Sequence, residues 1–156
     1  MSGRATVHSL RTRLGAAFER AKAIRDDLEL SSDLARYLCI LVSGYLEQAV
    51  RELTLEYVRQ RSHPSVQRYV EAHLNRVTNV NSQRLVTLLG SFDPDWRKDM
   101  ELYLIDELKD AVDSIVSLRN SISHGHSVGV TIVRVVDYYN RVERVVDHIA
   151  DLCVPT

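Results

Sequence analysis

Residues that break helices or cross-link a fold are scarce in this chain, which has six glycines, three prolines and two cysteines among 156 residues. Because glycine and proline are the residues that most disfavour helix interiors, their scarcity predicts long helices. The two cysteines, Cys39 and Cys153, are too few and too far apart for a disulfide framework or a cysteine-rich metal site. Cys39 lies in an apolar run and is predicted to be a buried small hydrophobe.

Long hydrophobic runs are also missing. No apolar run approaches the ~18 residues that a membrane span needs, and the amino terminus lacks the apolar core of a signal peptide. We therefore expect a cytoplasmic protein without a membrane partner. Its length suits one domain over residues 1–156, which can bury a core without metal or disulfides.

A strong charge of one sign is absent as well, since the net charge of −1 argues against a surface coated with basic residues. The distribution is uneven. Residues 1–25 carry six basic residues and one glutamate, whereas the chain from residue 101 onward carries nine acids and five bases. A basic first helix is one candidate for lining a nucleic-acid groove, and the alternative is an ordinary solvated helix face.

Apolar residues recur at the spacing of amphipathic helices over most of the chain. A first helix is predicted over residues 5–29, and a second over 34–58 with residues 31–33 as its amino-terminal cap. The second is the more apolar and is expected at the centre of the bundle. A last helix runs from Ile132 to Leu152 behind Thr131 as its cap, and its helical spacing argues against a strand at its start.

Shorter helices are predicted in the middle of the chain. In order, the segments are a helix of 65–76, a polar break of 78–81, a helix of 83–89 and a helix of 96–104. Pro64, Asn81 and Asp93 followed by Pro94 signal helix starts, and Gly90 is predicted to end the second of these helices. The third either continues into the next helix or bends near residue 105. Together these segments predict an all-α bundle of about four long helices plus one or two short ones.

One run has residue types suited to chemistry: Arg119-Asn120-Ser121-Ile122-Ser123-His124-Gly125. It ends a helix whose apolar stripe begins at Leu108, and Gly125 suits the left-handed conformation that follows a helix. Asn120 and His124 are four residues apart and share a helix face. Arg119 lies on another face, and its long side chain must extend around the helix to reach His124. A guanidinium that holds a phosphate, beside an imidazole that moves protons near neutral pH, can cleave a phosphodiester.

This run resembles the signature of the HEPN domain family, which is an arginine, a polar residue after it and a histidine four to six residues beyond. The polar break before a short helix, the Asp-Pro-x-Trp that starts at Asp93 and the motif helix together resemble the bacterial RiboL-PSP branch of that family. The resemblance implies a HEPN-like helical bundle. It also implies Arg119, Asn120 and His124 as catalytic residues.

The resemblance further implies a metal-independent endoribonuclease without a cofactor. An imidazole would deprotonate the ribose 2′-hydroxyl or protonate the departing 5′-oxygen, and Arg119 would hold the non-bridging phosphate oxygens. Asn120 would orient His124 or the phosphate. The expected products are a 2′,3′-cyclic phosphate and a 5′-hydroxyl.

A homodimer is expected because one imidazole is poorly placed to act as both base and acid, and HEPN ribonucleases typically bring two motifs to one cleft. Apolar residues after the motif are predicted to leave an exposed patch for that interface, namely Val128, Val130, Ile132, Val133 and Val135. Stand-alone HEPN proteins of this size suggest a toxin or defence effector. Its partners would be RNA and a cognate antitoxin or regulatory protein.

Several side chains have more than one interpretation. His126 can bind phosphate, and Tyr138 can stack a base. His124 and His126 could also be two ligands of a metal ion, but the sequence offers no third ligand at a fitting spacing. Glu47 is either an acid near the motif, as some family members have, or part of a surface ion pair. The alternatives to a nuclease are a non-catalytic HEPN-like module that binds a nucleotide or a protein, and a plain helical scaffold in which Arg119 pairs with an acid.

Overall fold

The computed structural model describes residues 2–24 and 26–156, and all regular structure in these ranges is helical. The prediction of an all-α bundle is confirmed. Four helices have at least 18 residues, as expected, but three rather than one or two are short. The seven helices in the described ranges are α1 (Gly3–Lys22), α2 (Leu28–Arg59), α3 (Pro64–Leu74), α4 (Ser82–Phe92), α5 (Pro94–Tyr103), α6 (Asp106–Ser123) and α7 (Ile132–Cys153).

The most apolar helix, α2, lies at the centre of the bundle as its sequence predicts. It packs against α1, α3, α6 and α7. Leu38, Leu46 and Leu53 on α2 are at most 1% exposed, and a fully buried leucine contributes about 1.5–3 kcal/mol to the free energy of unfolding. Packing against four helices therefore fixes the position of α2, including its partly buried Glu47.

The boundary between the first two helices differs from the predicted one. α1 ends at Lys22 rather than at residue 29, and α2 begins at Leu28, where the Asp27 carboxylate accepts a hydrogen bond of 2.9 Å from the Leu30 N–H. Residues 31–33 therefore do not cap α2. The cap is Asp27, which lies earlier in the chain and accepts from an N–H group that the start of the helix would leave free. Arg25, which we counted in the predicted first helix, lies outside the described residues.

The start signals of the short helices are confirmed. Asn81 accepts a hydrogen bond from the Arg84 N–H at 2.9 Å and begins α4, and Asp93 accepts one from the Asp95 N–H at 2.7 Å and begins α5. The chain then turns at Leu104, so the stretch between Pro94 and the motif forms two helices rather than one.

The prediction that Gly90 ends a helix is wrong, since α4 continues to Phe92. Gly90 instead lies where α4 and α5 pack closely, and a Cβ atom built on it would lie 2.9 Å from the Cβ of Arg97. Contacts under 3.0 Å require the neighbour to move. The glycine is therefore needed for the close approach of two helices and not for a helix end.

We expect Gly90→Ala to destabilise the protein. The crowding against Arg97 costs about 1–3 kcal/mol, which exceeds the gain of about 1 kcal/mol that alanine brings to a helix interior. Gly15→Ala on α1 is the matched control, because its added Cβ would meet nothing within 4 Å. Thermal unfolding should show a lower Tm for the first variant and an equal or higher Tm for the second; an equal gain in both would contradict the packing argument.

Two of the five lysine and arginine residues of α1 form ion pairs with acids on α7. Arg4 forms an ion pair of 3.0 Å with Asp151, and Arg11 forms ion pairs of 2.7 Å with Asp147 and 3.3 Å with Glu143. Burial raises the pKa of Tyr45, although a hydrogen bond from Arg11 to its hydroxyl lowers it, and the result is a pKa of about 12. These arginines therefore join α1 to the rest of the bundle, which removes them from the predicted nucleic-acid groove.

Both cysteines are buried free thiols. Burial raises the pKa of Cys39 to about 11 and that of Cys153 to about 12, so neither is a thiolate nucleophile at neutral pH. In the part of the chain that the structure describes, none of the helices has the length and apolarity to cross a membrane.

Candidate functional site

The motif helix α6 ends in a closed backbone turn. Gly125 has a φ of 75°, its N–H donates a 3.1 Å hydrogen bond to the Ile122 carbonyl, and the His126 N–H donates a 2.9 Å bond to the Ser121 carbonyl. These two bonds form a Schellman motif, which satisfies carbonyls that the helix end would leave free. The predicted role of Gly125 is confirmed, and the turn holds the backbones of His124 and His126 in a fixed relation.

The two histidine side chains come together at this turn. Both are exposed, and their ring centroids lie 6.5 Å apart with an angle of 68° between the ring planes. The family signature ends at His124 and Gly125, so the resemblance gives His126 no catalytic role. Sequence reasoning considered the two histidines together only as metal ligands.

The Arg119 guanidinium is bound by neutral groups. Its Nη1 donates to the amide oxygen of Asn79 at 3.2 Å and, at a longer 3.4 Å, to that of Asn120. Within residues 2–24 and 26–156, no carboxylate lies close enough to form an ion pair with it. The interpretation in which Arg119 pairs with an acid is therefore wrong, and its positive charge remains available to an anion.

Sequence reasoning missed Asn79, which lies between α3 and α4 and contacts Arg119 from 40 positions away. Asn79 has a φ of 54°, a left-handed conformation that asparagine tolerates better than most residues. Glu47 on α2 accepts a hydrogen bond of 2.9 Å from its N–H. The polar break in the sequence was visible, but its contacts with α2 and α6 are not local and leave no periodic pattern.

These contacts also decide between the two interpretations of Glu47. It is partly buried and forms no ion pair with any described residue, so the surface ion-pair role is wrong. Glu47 instead holds Asn79, and Asn79 holds Arg119. It is therefore an acid that supports the motif arginine through one intermediate residue.

Asn120 lies beside Arg119 and lines a groove of about 500 Å³ between the start of α4 and α6, together with Lys109 and Asp113. The Asp113 carboxylate is occupied there, because it accepts hydrogen bonds of 2.8 and 2.9 Å from the N–H and hydroxyl of Ser82. The contact between Asn120 and His124 is a backbone one, in which the His124 N–H donates to the Asn120 carbonyl at 3.0 Å. The Asn120 side chain thus positions Arg119.

Tyr138 is half-buried and packs against the hydrophobic core, with the Arg134 guanidinium carbon 5.9 Å from its ring centroid. Its ring is therefore already partly covered, which leaves little free face for a base. The neighbouring Tyr139 is buried and stacks on Phe18 with centroids 5.1 Å apart, as its place on the apolar stripe predicts.

The connection after the motif does not form the expected apolar patch. Val135 is fully buried, Val130 and Ile132 pack against the core, and Val128 is half-buried, with its carbonyl 3.4 Å from a guanidinium nitrogen of Arg36. Of the five residues, Val133 alone is strongly exposed, at 80%. The predicted exposed patch is therefore absent, because Val130, Ile132 and Val135 pack in the core of their own chain.

No set of three or more histidine, cysteine, aspartate or glutamate side chains within the described ranges is arranged to hold a metal ion. The motif and the residues around it thus supply a guanidinium, two imidazoles, neutral amides, and the carboxylates of Glu47 and Asp113, both of which accept hydrogen bonds. This set can bind a phosphate and transfer protons.

A model of the RiboL-PSP-HEPN family matches residues 13–154, a span that contains α2 to α7 and the second half of α1. The matched span includes the motif, Asn79 and Glu47. No curated protein and no solved structure matches the chain.

Proposed function

Because this chain belongs to the RiboL-PSP-HEPN family, we propose that it is an RNA-directed module that acts as a metal-independent endoribonuclease. The observation that carries the proposal is the state of Arg119, whose guanidinium is held by two amide oxygens and by no carboxylate among the described residues. An arginine held in this way keeps its charge for a ligand. Guanidinium groups match the geometry of phosphate oxygens.

In the proposed reaction an imidazole removes the proton of a ribose 2′-hydroxyl. The 2′-oxygen forms a bond to the adjacent phosphorus, the bond from phosphorus to the 5′-oxygen breaks, and a second imidazole gives the leaving 5′-oxygen a proton. The products are a 2′,3′-cyclic phosphate and a 5′-hydroxyl, so atoms and protons balance without a co-reactant. His124 is one imidazole and His126 is the other, since both rings emerge from the turn after α6.

Arg119 acts on the charge that develops on the non-bridging phosphate oxygens. Preorganised donors of this kind are worth about 10²–10³-fold in rate, because they need no rearrangement as the charge grows. Asn79 and Asn120 supply the preorganisation by accepting hydrogen bonds from Arg119, and Glu47 fixes Asn79 in turn. The Arg119 guanidinium is thus held directly by two asparagines and indirectly by Glu47.

The proposal is tested with purified protein and bulk RNA in the presence of EDTA. We expect cleavage to persist in the chelator, because proton transfer and charge stabilisation both come from side chains. The new ends should be 2′,3′-cyclic phosphates and 5′-hydroxyls, and a matched oligonucleotide with a 2′-deoxyribose at the scissile position should resist. A requirement for a divalent ion, or cleavage of the deoxy substrate, would contradict this mechanism.

A second candidate is a non-catalytic module that binds a nucleotide or a protein. It is favoured by the net charge of −1 and by the ion pairs that tie Arg4 and Arg11 to α7, because both limit the basic surface left for RNA. The same preparation distinguishes the two, since a binding module would retain RNA or a nucleotide on a filter without producing new ends.

For the physiological setting we propose a toxin or defence effector that acts on cytoplasmic RNA and is controlled by a cognate antitoxin or regulatory protein. Family membership supports this setting. We propose a homodimer on the same ground. The structure adds no support of its own, because three of the five apolar residues after the motif pack in the core and a second imidazole lies in the same chain.

A further inference from the structure

We propose that the cleft between α3 and α4 binds the phosphates of the single-stranded RNA next to the scissile bond. This inference rests on the proposed function, because it assigns a path to the same substrate. The cleft has a volume of about 550 Å³, and its polar lining includes His73, Arg76, Thr78, Gln83 and Arg84. None of the described residues that line it is an aspartate or a glutamate.

The charges of this cleft are not neutralised within the described chain. Arg84 donates a 3.0 Å hydrogen bond to the Thr78 carbonyl, and neither Arg84 nor Arg76 lies within ion-pair distance of a described carboxylate. Both side chains are exposed. They differ in this from Arg4 and Arg11, which face acids of α7. Two uncompensated guanidinium groups at one cleft favour a polyanion as its ligand.

The cleft is continuous with the motif through the backbone of Thr78 and Asn79. Thr78 lines the cleft and accepts from Arg84, and the next residue, Asn79, accepts from Arg119 through its side chain. Successive Cα atoms lie about 3.8 Å apart, so the cleft and the guanidinium of Arg119 flank one short segment. An RNA strand whose scissile phosphate contacts Arg119 can therefore continue along this loop into the cleft.

The segment that joins the two places is held on both sides. Glu47 accepts the N–H of Asn79, Arg84 donates to the carbonyl of Thr78, and Asn81 caps α4 just beyond them. The cleft also has apolar lining from Val77 and Leu88, which are partly buried against the core. Sites for single strands typically combine a basic groove that follows the phosphates with an aromatic ring on which a base stacks, and among the lining residues His73 supplies that ring.

The test measures binding rather than cleavage. The His124→Ala protein is mixed with a fluorescent single-stranded RNA of about ten nucleotides, and affinity is followed by anisotropy as salt increases. We expect Arg76→Gln combined with Arg84→Gln to weaken binding at least about tenfold at low salt. The slope of log K against log salt should fall by about 1.4, because each phosphate contact on a single strand contributes about 0.7.

The matched control is Arg13→Gln combined with Arg20→Gln. It removes the same charge from exposed residues of α1, which line a groove between α1 and α2 on a different part of the bundle. We expect this pair to leave affinity and salt slope within about twofold of the parent. Equal losses in both double variants would overturn the cleft assignment, because the effect would then come from overall charge alone.

A second measurement tests whether replacing Arg84 disturbs the loop at Thr78, whose carbonyl accepts a hydrogen bond from Arg84. In the background with His124 intact, cleavage of a dinucleoside monophosphate, which is too short to fill the cleft, should stay near the parent rate in the Arg76 and Arg84 double variant. For long RNA, kcat/KM should fall at least about tenfold because KM rises. Equal loss on both substrates would overturn the proposal, since it would show a disturbed motif rather than a lost binding cleft.

The outcomes separate this inference from the proposed function. If the parent protein cleaves no RNA but binds it through Arg76 and Arg84, the cleft is supported and the nuclease proposal fails. If RNA is cleaved and the double variant binds and cleaves long RNA as the parent does, the nuclease proposal stands and the cleft fails.

Discussion

Replacing His124 with alanine should reduce RNA cleavage by about 10²–10⁴-fold, the range that a positioned proton-transfer group contributes. The fold should be unaffected, because His124 is exposed at the end of α6 and its structural contact is a backbone hydrogen bond that alanine also makes. Circular dichroism and the Tm of the variant should therefore match those of the parent.

His8→Ala is the control for this measurement. His8 is an exposed histidine on α1 that belongs to no part of the motif. Its replacement should leave cleavage unchanged, which would separate a loss of the motif histidine from a general effect of removing an imidazole. Retained activity in His124→Ala, with correct folding, would show that this side chain is not part of the chemistry.

Arg119→Lys tests the proposed phosphate-binding role of the guanidinium in the same site. Lysine keeps the positive charge but loses the planar fork, and with it the geometry that allows one group to bind Asn79, Asn120 and phosphate oxygens together. We expect a loss of about 10²-fold in kcat, comparable to removing one oriented donor from a charge-stabilising site. A lysine variant with parental kcat would mean that charge alone suffices at this position.

The backbone of the site was well predicted by the sequence because its signals are local. The apolar stripe of α6, the left-handed Gly125 and the Thr131 cap of α7, which accepts a 3.1 Å hydrogen bond from the Arg134 N–H, all depend on residues within a few positions of one another. The central position of α2 followed from its composition. These features need no knowledge of the tertiary arrangement.

The support of the site could not be predicted, because it depends on contacts between distant segments. Asn79 meets Glu47 and Arg119 across separations of 32 and 40 residues, and no spacing rule connects such positions. Gly90 was misassigned for a similar reason. A glycine that ends a helix and one that admits a neighbouring helix look the same in a single sequence, and the distinction depends on Arg97 of α5.

His126 was interpreted as a phosphate-binding residue or, together with His124, as a metal ligand, because it lies beyond the family signature. The Schellman turn then reverses the chain and returns the next side chains to the helix end. The two ring centroids lie 6.5 Å apart, so both imidazoles of one chain can approach the same phosphodiester. In the proposed reaction one protomer thus supplies both the proton acceptor and the proton donor.

We accordingly expect His126→Ala to lower kcat by about 10²-fold or more, because the reaction loses one of its two proton-transfer groups. His126→Gln should not restore the rate, because an amide forms hydrogen bonds but transfers no proton. Parental activity in His126→Ala would assign the second imidazole to another residue.

Mixing experiments decide whether the two imidazoles belong to one chain or to two. Parent protein is equilibrated with increasing amounts of His124→Ala protein at constant total concentration, and cleavage is plotted against the parental fraction. If His124 and His126 of one protomer form the acid–base pair, activity falls linearly, because each parental chain keeps a complete site in any dimer. If instead the His124 residues of two protomers act in one cleft, activity falls as the square of that fraction, and His126→Ala retains its rate. We expect the linear decrease together with the loss in His126→Ala, since the turn at Gly125 already brings the two rings of one chain to a centroid distance of 6.5 Å.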